Sequence, residues 1–168
     1  MRELKILRTL TFLGLIFLPI FFKKQPRKEW MLVFLLKAVY SIFFDSFVVK
    51  YGQVSYPVRL LPKIFKVNLA FDMVLFPIAC VIYNQITYGT KNILNIMLKA
   101  FYISVPIIVI EIWIEKNTKL LKYKGNWSWF ISFYTLTFSF WIVRLTIGLI
   151  RIFDKPKKEV DLKSGAIN

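Results

Sequence analysis

"IVIEIWIEKNTKLLKYKGNWSWF" occupies residues 108–130. Nearly unbroken apolar sequence runs into two glutamates one helical turn apart, Glu111 and Glu115. Lys116, Lys119, Lys122 and Lys124 follow, and then Trp127 and Trp129 open another apolar run. A helix leaving hydrocarbon, a cationic turn at the headgroups and a second helix re-entering beside interfacial tryptophans would produce this order of residues. Glu115 lies at the apolar boundary with Lys119 four residues on, the spacing of a helical ion pair, and reads as an interfacial cap. Glu111 lies one turn deeper and reads differently.

The same alternation recurs along the chain. Apolar runs of about twenty residues match the length needed to cross roughly 30 Å of hydrocarbon as helix. Spans are expected at about 4–22, 30–49, 67–88, 93–114 and 127–150. They make an all-α integral membrane bundle of about five transmembrane helices in a single domain, residues 1–153. The first run, Leu10 to Phe22, follows Arg2, Lys5 and Arg8 like the apolar region of a signal peptide. Lys23-Lys24-Gln25-Pro26 succeeds it without a small-x-small cleavage site, so it reads as retained, with Lys5 and Arg8 snorkelling. The alternative is four spans with this run as an N-terminal surface helix. Pro77 is expected to kink the third span. The connection 50–66 carries Pro57 and Pro62 and is expected on the membrane surface. The charged, apolar-poor residues 154–168 read as a disordered tail.

Composition agrees with this class. The 168 residues are 57% hydrophobic and 18% aromatic, with a mean hydropathy of +0.57. The net charge of +15, from 24 Lys and Arg against nine Asp and Glu, would suggest nucleic acid on a soluble chain. Here the basic residues sit between apolar runs or in their outer turns, and no nucleic-acid-binding motif interleaves them. The expected partners are the lipid bilayer, its anionic headgroups and a second copy or membrane partner protein, with no nucleic acid. Lys and Arg divide equally between the two sides of a five-span arrangement, so the positive-inside rule gives no orientation.

Several chemistries are excluded. There is no histidine and Cys80 is the only cysteine, which removes intrachain disulfides, Cys/His zinc sites and triads with a histidine base. Cys80 reads as a small buried hydrophobe. No GxGD, HExxH or CDP-alcohol transferase acidic spacing is present. The chain reads as a non-enzyme with no cofactor and no metal site.

The informative residues are the charges inside spans, because an ionisable group in hydrocarbon is expensive. Asp45, Asp72 and Glu111 fall at similar depth toward the side of loop 50–66. Lys99 and Arg144 fall toward the opposite face, and Lys37 near mid-depth. One reading is a polar cavity lined by Asp45, Asp72 and Glu111, able to bind a cation, exchange a proton or receive an amine. The other is structural: Asp72 and Glu111 paired with Lys66 or Lys116, Asp45 snorkelling beside Lys50, and Arg144 reaching headgroups. Lys37, Ser41 and Asp45 form a polar stripe one helical turn apart, expected to face other helices. Ser and Thr residues of the last span are expected to allow close helix packing.

The stretches "YPVRLLPKIF" (56–65), "FDMVLFPIACVIYNQIT" (71–87) and "EIWIEKNTKLLKYKGNWSWFISFYTLT" (111–137), together with Arg144, resemble an uncharacterised family of small multi-pass membrane proteins from spore-forming Gram-positive bacteria of the Bacillus/Clostridium type. The likeness covers roughly residues 30–150. Usual members have a Gly-Trp dipeptide where this chain reads Gly125-Asn126-Trp127. The resemblance implies a multi-pass protein of the bacterial cell membrane and brings no activity with it. The expected role is a structural or interaction component of that membrane. The alternative is a small transporter or channel subunit that uses the carboxylates, with Lys37 and Arg144 as further binding candidates.

Overall fold

Four apolar segments form helices long enough to cross a bilayer: α1 (Arg2–Phe21), α2 (Arg27–Lys50), α4 (Ile93–Asn117) and α5 (Trp129–Phe153). At 1.5 Å per residue they extend about 30 to 38 Å. A fifth, shorter helix, α3 (Phe76–Ile86), is preceded by a π-helical segment, Phe71–Leu75. The structure, a computed structural model, describes residues 2–153. The expected tail at 154–168 lies outside the described residues.

The expected third span, 67–88, is occupied by a π-helical and an α-helical part that together cover Phe71–Ile86, shorter than the four long helices. Pro77 supplies the physical reason for the π segment. Proline has no N–H and its ring crowds the carbonyl four residues back, which would fall at Met73. The wider turn relieves that crowding, and Phe76 N–H bonds Phe71 O in π register. The short helix also sits at the centre of the bundle, packed by α1, α2, α4 and α5. An internal helix shielded by four long ones need not match the thickness of the bilayer.

Successive helices run in opposite directions. Leu7, near the start of α1, packs with Val48, Val54, Ala70, Ile114 and Leu120, which places those chain regions at one end of the bundle. At the other end Gln85 Nε2 donates to Phe21 O at 2.6 Å and Arg151 binds Glu29. Between them Trp30, Val33, Cys80, Tyr83, Phe140 and Ile147 form a buried middle layer, with Cys80 in the apolar setting its sequence suggests. Ser104 accepts from Thr137 at 2.9 Å across α4 and α5, the hydroxyl-mediated packing expected of the last span.

Loop 50–66 departs from a simple surface segment. Gly52, with φ +69°, reverses the chain after α2. Gly52 N–H bonds Val49 O and Gln53 N–H bonds Val48 O, closing the helix as a Schellman motif. The chain then forms β1 (Val54–Ser55), antiparallel to β2 (Lys122–Tyr123), with Val54 opposite Tyr123. Gly125 turns at φ +57° so that Gln53 can pack on it. Gln53 O accepts from Lys124 N–H, and its side chain accepts from Asn126 N–H. This small sheet caps one end of the helices. Leu61 and Ile64 farther along the loop remain exposed, in keeping with a surface position for that part.

Candidate functional site

The stripe on α2, the π segment, the last turns of α4 and the first half of α5 surround a cavity of about 680 Å³. Asp45, Asp72, Glu111 and Lys37 all line it, so four of the five candidate residues come together. Each arrives for a separate structural reason. Lys37, Ser41 and Asp45 recur at four-residue spacing and share one face of α2. Asp72 is turned inward by the π segment. Glu111 comes from α4, which packs on α5 and α3, whereas α2 packs on α3, the π segment and α5. Their separation leaves the cavity.

The carboxyls hold specific contacts. Asp45 accepts from Tyr56 Oη at 2.9 Å, and Glu111 accepts from Tyr123 Oη at 2.8 Å. Tyr56 directly follows β1 and Tyr123 lies in β2, so the cap sends one phenol to each acid. Asp45 and Asp72 lie within hydrogen-bonding reach of one another, and a bond between two carboxyl groups requires a proton on one of them. Asp72 is 2% exposed; beyond that mutual contact no donor reaches its Oδ2 or Asp45 Oδ2, and Ser41 Oγ is buried without a partner. Ser132 reaches Glu111 and accepts from Trp127 Nε1 at 2.9 Å. Burial, followed by the adjacent Asp45 and Asp72, pushes the Tyr56 phenol well above its usual range. Tyr123 is raised by burial and then by Glu111.

Lys37, 3% exposed, donates to Ser139 Oγ at 2.7 Å and lies over the Phe76 and Phe140 rings. Its charge is felt at Asp72. Three carboxyls therefore face a single ammonium group. Among the described residues no group of three or more His, Cys, Asp or Glu converges on a point that could hold a metal ion.

The structural pairings expected from sequence are corrected. Asp45 meets Tyr56 rather than Lys50. Glu111 meets Tyr123, and Asp72 faces Asp45 and Lys37, where Lys66 or Lys116 was expected across the helices. Glu115 pairs with Lys122 at 3.7 Å rather than with Lys119, because the chain leaves helical register at Thr118 and returns as β2. Arg144 lies outside the cavity. Its guanidinium donates to Thr87 O at 3.3 Å, an acceptor exposed by the end of α3, instead of reaching headgroups. Lys99 likewise bonds Ile86 O and Thr90 Oγ1 at that end. Comparison with protein-family models, with curated proteins and with solved structures returns no match.

Sequence reasoning missed Tyr56, Tyr123 and Trp127 as parts of the site. The signal lay in two stretches outside the apolar runs: "YPVRLLPKIF" begins at Tyr56, and "KYKGNWSW" contains Tyr123, Gly125 and Trp127. Those residues build the cap.

Proposed function

We propose that this chain is a multi-pass bacterial cell-membrane protein, a small transporter or channel subunit that uses its carboxylate cavity to bind a proton or a cationic group. The observation that carries this reading is that Asp45, Asp72 and Glu111, from three different parts of the chain, line one cavity, with Asp72 only 2% exposed and set against a second carboxyl, Asp45. Groups retained only for helix packing would be expected to finish in satisfied pairs, since an unpaired polar atom in low dielectric is costly. Glu29 with Arg151 fits such a packing role. Asp72, set against another carboxyl, does not.

A purely structural or interaction component, the role expected from the sequence, accounts for the Glu29–Arg151 end of the bundle but leaves the acidic cavity without a reason. The resemblance to membrane proteins of spore-forming bacteria supports the cell membrane as location. No step of covalent chemistry is part of this reading.

Proton or cation flux in proteoliposomes tests it. Wild-type protein should dissipate an imposed gradient, and Asp72→Asn and Glu111→Gln should abolish that flux while still inserting and eluting as a monodisperse species. Absence of flux in wild type under pH, Na⁺ and K⁺ gradients of either direction would overturn the reading.

A further inference from the structure

The cavity has two features that a site for a proton or bare ion does not need. The first is its size. At about 680 Å³ it lies within the roughly 300–1,000 Å³ typical of small-molecule sites, whereas one water occupies about 30 Å³. The second is its wall. Apart from the acids and Lys37, aromatic and aliphatic side chains dominate the lining, among them Phe44, Phe76, Phe101 and Trp141.

The position of the opening is informative too. Phe43, Ile110 and Phe138 line the cavity, yet they are 75%, 58% and 59% exposed on the apolar outer surface of the helices. A side chain that lines a cavity and also faces outward marks its rim. The rim therefore lies between α2 and the α4–α5 pair, on a face that hydrocarbon would cover. At the end of the bundle, β1 and β2 with Tyr56 and Tyr123 stand between the acids and the aqueous side.

Resting on the reading above, we infer that the occupant is a single-chain amphipathic amine that enters sideways from the lipid. Its ammonium group takes the Asp45–Asp72–Glu111 end, and its apolar chain lies against the aromatic wall. Charge complementarity selects the head: three carboxyls line the cavity with one resident ammonium, and Ser41, 7% exposed in the same lining, has a hydroxyl without a partner in the protein. An alcohol can donate to the same acceptors but carries no charge, so ionised carboxyls favour an amine over an alcohol of the same length. The apolar wall selects the body, since a short amine would leave it uncovered.

Tail-brominated 11-bromoundecylamine provides a probe, because bromine quenches tryptophan on contact and Trp127 and Trp141 line the cavity. With the full chain in phosphatidylcholine nanodiscs, quenching should rise to a saturable plateau above simple partitioning. Dodecylamine should reverse it, and a thousandfold excess of methylamine should not. The alcohol 11-bromoundecanol should give partitioning only. Trp141→Phe should remove much of the saturable component, and Asp72→Asn and Glu111→Gln should each weaken it at least tenfold.

Displacement by methylamine as effective as by dodecylamine would overturn the proposal in favour of a small-cation site. Equal saturable quenching by the alcohol would overturn it in favour of a site blind to charge. Flux in proteoliposomes without saturable amine binding removes this inference and leaves the transporter reading standing. Loss of both in wild type removes both. The comparisons among amine, alcohol and methylamine use wild-type protein, so they stand even if an acidic variant fails to fold.

Discussion

Lys37 and Asp72 show how individual charges are held in this bundle. Lys37 donates to a hydroxyl rather than a carboxylate, and its charge reaches Asp72 without a direct bridge. Removing either should be destabilising, and the second removal should cost less than the first. A double-mutant cycle of Lys37→Met with Asp72→Asn is expected to give a coupling of roughly 0.5–3 kcal/mol, read from unfolding midpoints in mixed micelles. Additive single effects would show that the two charges do not sense each other. The depth of Asp45, Asp72 and Glu111 was readable from sequence, because each lies at a countable distance from the end of an apolar run. Their partners were not. Tyr56 and Tyr123 sit in connections, where spacing along the chain says nothing about which side chain turns inward.

Among the elements, the cap and the first helix make distinct demands on their glycines. Gly125 has φ +57°, and a Cβ there would approach Gln53 Oε1 to 2.9 Å. Gly125→Ala should therefore weaken the pairing of β1 with β2 by roughly 1–2 kcal/mol, chiefly through the left-handed backbone. Faster labelling of a cysteine at Ser55 would report the loss, and an unchanged rate would argue against the pairing. Gly14 serves a different purpose. A Cβ on it would meet Val74 Cγ1 at 2.5 Å, so α1 lies directly on the π segment at this point. Gly14→Val should displace α1 and cost roughly 1–3 kcal/mol, and loss of cross-linking between α1 and the π segment would check this. The cap also has a pH limit. Both phenols have raised ionisation, so their hydrogen bonds to Asp45 and Glu111 are fully present below the ordinary tyrosine pKa of 10.0 and are lost only as pH climbs through the higher folded values. Cap closure, followed by the same cysteine labelling, should persist at pH 10 and fail above it. Opening below pH 9 would contradict the assignment. The helices themselves were legible because long apolar runs with charged ends permit little else. The two-residue strands were not, since Val54–Ser55 and Lys122–Tyr123 are too short to show a period of two.

For the whole molecule, the alternating helix directions place residues 50–66 and 118–126 on one side, with residues 22–26 and 87–92 on the other. Single cysteines at Gly52 and Lys119 should react with a membrane-impermeant maleimide from one side, and those at Lys24 and Gly89 from the opposite side. Native Cys80 is fully buried and should stay silent. Labelling of all four sites from one side would break the arrangement. The four long helices were countable from hydropathy alone. The central position of the short one was not, because its apolar residues suit lipid and protein neighbours equally.

The far end of the bundle gives the cavity a mechanical character. Glu29 of α2 takes both Nε and Nη2 of Arg151 on α5, with the Nε contact at 2.9 Å, and the same guanidinium stacks on Tyr88. The two helices are thus pinned where they are farthest from the acids and joined nearer them by Lys37 on Ser139, while the two phenols and the short strands tie α2 and α4 at the cap. With the far end fixed, the spacing of α2 and α4 around the acids is set by the cap. The width offered to anything lodged there then depends on a two-residue sheet and two phenols, of which Val54 and Tyr56 also line the cavity.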